Sequence, residues 1–278
     1  MDKDKESITS RGVSMLRAVH QLSDPGPKIL DDTVILRLLP EDLIRHIREN
    51  AVRYAHPAAR ALRAHVLLRS RYAEDCLSEA FRRGVRQYII LGAGLDTFPY
   101  RQPEWAHELR IFELDHPATQ ADKRGLLENA GIAVPENLGF VSVNLETGDL
   151  RAALRASAFD PARPAFISWL GVMPYLTPAA NDRIFRFAAD LPASSELVFT
   201  FSQKDRPGEP HPLALRAAEL GEPWLTRVDL PELEAQLSHY GFSKISFLDP
   251  LAAARRYFAD PETDIPGPRR VNIARVAV

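Results

Sequence analysis

The sequence predicts an α/β protein built on a doubly wound, mostly parallel sheet of seven strands, with helices before it and a lid insertion late in the chain. Three observations carry that prediction. Short apolar runs alternate with helical patterns from residue 85 onward. A tight turn, Gly92-Ala93-Gly94, follows the first of those runs, and an acid, Asp115, closes the second.

The elements follow in order. The first sixty residues hold short helical patterns interrupted by Asp24-Pro25-Gly26-Pro27, Pro40 and His56-Pro57, a texture of helices that pack on something else. Residues 1–84 are therefore expected to form a helical segment lying on a core of residues 85–278. Its last helix spans about 58–83, where Leu62, Val66, Ala73, Leu77 and Ala80 make one apolar stripe and Gly84 follows as the C-terminal glycine. Strands are expected at 87–91, 109–115, 139–143, 165–169 and 196–201. Helices are expected at 118–130, 150–156 and 178–189, the last opened by Thr177 and Pro178. Asp229-Leu230-Pro231-Glu232 has the form of a capping box opening a helix that ends at Gly241. Late strands near 243–248 and 271–276 complete the sheet. The stretch 202–228, with four prolines, His211 and Trp224, is long enough to serve as a lid.

Composition excludes several classes. The 278 residues are 45% apolar and 26% charged, which suits an ordinary globular protein with a sizeable core. Thirty-five basic against thirty-seven acidic side chains give a net charge of -2, which argues against a nucleic-acid binder that neutralises many phosphates. Cys76 is alone, so no intrachain disulfide forms, and its helical setting marks it as a packed residue. The charged first residues lack an apolar run behind them, and no stretch approaches the roughly 20 apolar residues of a membrane span. A cytoplasmic location is expected.

Glycines at the carboxyl end of the first strand let a ligand approach the backbone. Asp115 stands 21 residues after Gly94, where an acid accepts hydrogen bonds from both ribose hydroxyls of an adenosine. Each feature alone is common as a turn or a solvated acid; together they indicate an adenosine-containing cofactor. A dinucleotide site wants a third small residue three positions after Gly94, at a helix start beside the pyrophosphate. Thr97 stands there, followed by Phe98-Pro99-Tyr100. That crowding favours a phosphate-free cofactor, S-adenosylmethionine.

Arg69 lies on the apolar stripe of its helix, three residues after Val66, whereas Arg71 points away. An inward guanidinium needs an anionic partner. A cofactor carboxylate fits that need, as does an internal acid, and snorkelling to solvent is a third solution.

Four stretches then appear in order: Arg69-Ser70-Arg71-Tyr72; Leu91-Gly92-Ala93-Gly94-Leu95-Asp96-Thr97; Phe112-Glu113-Leu114-Asp115-His116-Pro117; and Trp169-Leu170-Gly171-Val172 with Tyr175-Leu176-Thr177. The series resembles the leucine carboxyl methyltransferase family of class I, Rossmann-like methyltransferases, and is most similar to the bacterial branch that includes tetracenomycin-type polyketide O-methyltransferases. The resemblance covers roughly residues 24–247. It implies that Arg69 holds the methionine carboxylate, that Gly92, Ala93 and Gly94 lie under the methionine portion, and that Asp115 takes the ribose. It implies an adenine contact for Asn144-Leu145, where relatives carry Asp-Leu; an asparagine oxygen can still accept from the adenine amino group. Relatives specific for a phosphatase carry a glutamate five residues before the tyrosine of Tyr-Leu-Thr. This chain has Leu170 there, so backbone carbonyls near Ser168 are left to hold the methionine amino group, and a small molecule is the expected acceptor.

The expected activity is O-methyl transfer to a small-molecule acceptor, a carboxylate of a polyketide-like or other secondary metabolite. A carboxylate acceptor needs no general base; a hydroxyl would gain from one, and His211 is the nearest candidate. Arg206, Arg227 and Lys204 are candidates to hold an anionic acceptor, and Trp169 and Tyr175 either line its pocket or pack the core. No metal is required. Two other readings stay open: a nicotinamide-dependent oxidoreductase, and a cofactor-binding regulatory or scaffold protein without turnover. The sequence leaves the oligomeric state open.

Overall fold

The computed structural model describes residues 8–204 and 212–278. Among the described residues five helices precede the sheet: α1 (Ile8–Ser23), α2 (Val34–Leu38), α3 (Glu41–Glu49), α4 (Ala51–Tyr54) and α5 (Pro57–Arg82). There follow β1 (Gln87–Leu91), β2 (Arg110–Asp115), α6 (Pro117–Asn129), β3 (Leu138–Ser142), α7 (Leu150–Arg155), β4 (Ala165–Trp169), α8 (Pro178–Ala189) and β5 (Glu196–Thr200). The chain ends with α9 (Pro212–Glu219), α10 (Leu230–His239), β6 (Lys244–Phe247), α11 (Pro250–Tyr257) and β7 (Ile273–Ala277).

The seven strands lie in the order β3-β2-β1-β4-β5-β7-β6. β1 to β5 are parallel, and β7 runs antiparallel between β5 and β6. The order reverses between β1 and β4, so their carboxyl ends frame the crevice where an open α/β sheet takes its ligand.

Alternation along β1 divides the core. Ile89 and Leu91 face a cluster built with α7, α8 and α10 through Leu150, Leu154, Ile184, Leu233 and Leu237. Tyr88 and Ile90 face the other side, where α5 supplies Leu68, Tyr72, Ala73, Cys76, Leu77 and Ala80. Cys76 is buried there and burial pushes its thiol up to about 11, an inert packed residue. The N-terminal helices join the sheet layer through a third cluster: Ala18, Val19, Ile35 and Leu38 pack with Leu95 and Leu127. Among the described residues, no helix is long and apolar enough to cross a membrane.

The local signals act as ordinary chemistry requires. Gly84, at φ +100°, ends α5, with Val85 N–H donating to the Ala80 carbonyl at 3.1 Å. The Thr177 hydroxyl accepts from Ala180 N–H at the start of α8. Two His-Pro pairs each open a helix, His56 before α5 and His116 before α6, the ring accepting from the backbone two residues on.

The capping box expected at Asp229 does not form. Asp229 makes no side-chain cap, and Glu232 instead takes Lys204 Nζ at 2.6 Å, tying α10 to the start of the insertion. Two helices also lie outside the sequence reading: α9 within the insertion, and α11, which the Asp249 carboxylate caps through Ala252 N–H at 2.8 Å.

Candidate functional site

The loop after β1 is held from below by its neighbour. Gly92 and Ala93 N–H both donate to the Leu114 carbonyl, at 2.8 and 3.3 Å. Gly92 and Gly94 take φ of +67° and +46°, which L side chains rarely adopt. A Cβ on Gly92 would stand 2.4 Å from Val172 Cγ2, so the loops after β1 and β4 meet at van der Waals contact only because that residue is glycine.

Asp115 closes β2 beside this loop. Its Oδ2 accepts from Gly94 N–H at 2.6 Å and its Oδ1 from His116 N–H at 2.7 Å. Burial pushes its carboxyl above the usual range, and the two backbone donors oppose that shift. The carboxylate is thus oriented by the loop it serves, with lone pairs left for a ligand. β3 brings its next turn alongside, because Val143 N–H donates to the Asp115 carbonyl at 2.8 Å. Asn144 follows, exposed, its Oδ1 accepting from Glu146 N–H at 2.8 Å; Leu145 is half-buried against the core.

Behind the loop lies a buried polar clamp that sequence reasoning missed. Arg17 of α1 pairs with Asp32, donates to the Leu95 carbonyl at 2.9 Å and to Thr97 Oγ1 at 2.8 Å. Thr97 donates to Asp32 Oδ1 at 2.6 Å, and Arg101 joins through Thr97 and Glu74. From α6, Lys123 donates to the Asp96 carbonyl and to Glu113 Oε1, both at 2.7 Å. Burial pushes Glu113 up to about 7, with Lys123 opposing the shift. Gln120, Lys123 and Leu127 recur at three and four residues on α6, the same inward-facing spacing that singled out Arg69, so Lys123 was findable. Arg17 and Asp32 carry no comparable signal.

The same clamp explains Thr97. It is fully buried inside the network, and Phe98–Tyr100 is a single 3-10 turn rather than a helix start. The helix N-terminus that would receive a pyrophosphate is therefore missing at this position.

Arg69 comes from α5 to the other wall. A Cβ on Gly171, which has φ +74°, would lie 2.5 Å from Arg69 Nη1, so the guanidinium rests against the loop after β4. Arg69 is partly buried and has no hydrogen bond, and no acid among the described residues lies within 4.0 Å of it. Burial lowers its pKa to about 10, with nearby Tyr175 and Asp96 acting against that fall and Arg17 adding to it. Among the described residues, then, no internal acid pairs with Arg69.

The remaining residues separate. Ser168 is 1% exposed and its hydroxyl shares a hydrogen bond with Tyr88 at 2.9 Å. Trp169 has no exposure at all; it packs edge-on against Phe185, with Phe199 beside it, so it builds the core and does not line a pocket. Tyr175 is partly buried in the turn Met173–Tyr175. The returning arm of the insertion is stapled to that turn: Leu225 and Thr226 N–H donate to the Pro174 carbonyl at 2.7 and 3.1 Å. Arg227 stands over the Trp224 ring at 5.9 Å. Arg206 and His211 lie outside the described residues.

Comparison with known proteins identifies the family. The sequence profile described as leucine carboxyl methyltransferase matches residues 10–189. YktD of Bacillus subtilis (strain 168), named as a candidate S-adenosyl-L-methionine-dependent methyltransferase, is 31% identical over 277 residues, covering 90% of each chain. A Mycobacterium marinum protein with the same designation is 31% identical over 247 residues, 86% of this chain and 79% of its own. Among solved structures, a candidate methyltransferase from Thermobifida fusca covers 99% of this chain and 96% of its own, with a TM-score of 0.56 at 20% identity, a likeness of fold. The profile match and the full-length relatives together place this chain in the leucine carboxyl methyltransferase family.

Proposed function

We propose that the protein is an S-adenosylmethionine-dependent O-methyltransferase acting on a small-molecule acceptor, with a carboxylate as the accepting group. One observation carries the cofactor assignment. Asp115, aimed by Gly94 N–H, and Arg69, against Gly171 and without an acid partner among the described residues, flank the loop after β1 from the β2 and β4 sides. An adenosyl amino acid offers ribose hydroxyls to the first and a carboxylate to the second. The residues fit that group: Gly92 and Gly94, without a Cβ and at positive φ, open the loop backbone around Ala93 to a ligand, and Asn144-Leu145 stand beside Asp115 for adenine. Ser168, its hydroxyl engaged, serves through its backbone at most.

The bound cofactor supplies a methyl group already activated on a sulfonium. What remains for the chain is to align the acceptor and exclude water, and orientation alone is worth roughly 7–11 kcal/mol of barrier in favourable cases. A carboxylate acceptor is ionised at neutral pH, so the absence of an assigned base near the loop is no obstacle. Tyr175 and Arg227, joined through the stapled turn, are the described residues best placed to meet the acceptor. A nicotinamide site is disfavoured because Phe98–Tyr100 presents no helix start to a pyrophosphate.

The test is transfer of labelled methyl to a panel of small carboxylic acids and phenols, followed by mild alkali. Methyl esters release labelled methanol and methyl ethers do not. Label recovered only as ethers, or no transfer to any carboxylic acid, contradicts the carboxylate reading.

A further inference from the structure

We propose that Asp96 binds the ammonium group of the cofactor's methionine moiety, opposite Arg69, so that the two side chains together read its zwitterion. The inference rests on the cofactor assignment above and adds the partner that assignment lacks.

Exposure alternates along the loop. Leu91, Ala93, Leu95 and Thr97 are buried, whereas Gly92, Gly94 and Asp96 are partly open. Asp96, like the two glycines, is therefore reachable from solvent. Its backbone is fixed at both ends: its N–H donates to the Ala93 carbonyl at 2.7 Å, and its carbonyl accepts from buried Lys123 at 2.7 Å. Its side chain is half-committed. Oδ1 accepts from Phe98 N–H at 2.8 Å, which sets the rotamer, while Oδ2 accepts no hydrogen bond.

No cation stands within 4.0 Å of this carboxylate among the described residues. Asp96 and Arg69 nevertheless sit in each other's field, since Asp96 supports the charged form of Arg69. Two opposite charges that face one crevice without closing on each other leave a gap for a group carrying both signs. An α-amino acid presents its carboxylate and ammonium on adjacent atoms, the complement of that pair. The loop after β4, residues 170–177, carries no acid of its own. Leu170 packs into the apolar cluster on the α5 side, and Gly171 N–H is taken by Thr200 Oγ1 at 2.6 Å.

The experiment is calorimetric titration of the wild type and Asp96→Asn with two ligands. One is S-adenosylhomocysteine; the other is its desamino analogue, in which hydrogen replaces the ammonium. Asparagine keeps an oxygen for Phe98 N–H, so the turn survives while the charge is lost. We expect the wild type to prefer S-adenosylhomocysteine by at least about tenfold, and the variant to bind both ligands alike, close to the wild type's affinity for the analogue. A variant that still discriminates as the wild type does overturns the assignment. So does a variant that loses the analogue as severely as the parent ligand, because that marks a purely structural role. A wild type that binds neither ligand fails the cofactor reading itself, and an active site that binds both equally fails only Asp96.

Discussion

Replacing Arg69 with methionine should move stability and ligand binding in opposite directions. The guanidinium is partly buried, no acid among the described residues lies within 4.0 Å of it, and burial lowers its pKa to about 10. A cation whose folded pKa lies below its unfolded value destabilises the fold at every pH below the folded value, and the penalty is relieved only as pH rises from about 10 toward the ordinary arginine range. Each pKa unit corresponds to about 1.4 kcal/mol, and partial exposure reduces the whole to about 1–3 kcal/mol. Methionine keeps much of the apolar stem and removes that charge. With an unfolding entropy of about 2.1 cal/mol/K per residue, the variant should melt about 2–5 °C higher than wild type. On the proposed binding mode, binding of S-adenosylhomocysteine should weaken at least about 30-fold, because the ligand's carboxylate loses its cationic partner at a cost of about 2 kcal/mol or more. Scanning calorimetry and titration on one preparation read both numbers. A variant that melts lower and binds the ligand within about threefold of wild type would show that Arg69 is a structural residue.

Other perturbations separate the site from its scaffold. Asp32→Ala strands Arg17 in the clamp without its counter-ion, which should cost about 3–5 kcal/mol in urea denaturation. Burial pushes the Asp24 and Asp32 carboxyls up, but both are held below their usual range, by His20 with Arg63 and by Arg17 with Arg101. Their contribution is therefore present above 3.8 and lost as pH falls through their lower folded values, and acid unfolding followed by circular dichroism should steepen below that pH. Glu113 acts with the opposite sign. Its folded pKa of about 7 lies above the ordinary 4.5, so its term weakens the fold as pH rises between those values; Glu113→Gln should flatten that part of the stability profile. Trp169→Ala should lose about 3–5 kcal/mol of stability, with thermal unfolding as the readout.

Much of this was readable because the signals are local. β1 is five consecutive buried residues between Gly84 and Gly92, and β4 is another such run, so the parallel core announces itself by composition. Arg69 stood out because a charge on an apolar stripe contradicts its helix. What stayed hidden depends on distant partners. The antiparallel β7 between β5 and β6 follows from pairings such as Val198 with Arg275, which no local pattern encodes. The Asp229 capping box failed because Lys204, 28 residues earlier, competes for Glu232. Trp169 was open to two readings, and only the Phe185 and Phe199 rings around it decide for the core. Thr97 was correctly singled out but for an incomplete reason: it does not crowd a helix start, it removes one, because Arg17 and Asp32 draw it inward.

The most direct measurement is calorimetric titration with S-adenosylhomocysteine and, separately, NAD, on the wild type and on Asp115→Ala. Micromolar binding of S-adenosylhomocysteine alone, abolished in the variant, is the predicted result, because Gly94 N–H holds the carboxylate that we propose takes the ribose. Binding of NAD in its place, or undiminished binding of S-adenosylhomocysteine by Asp115→Ala, would contradict the site.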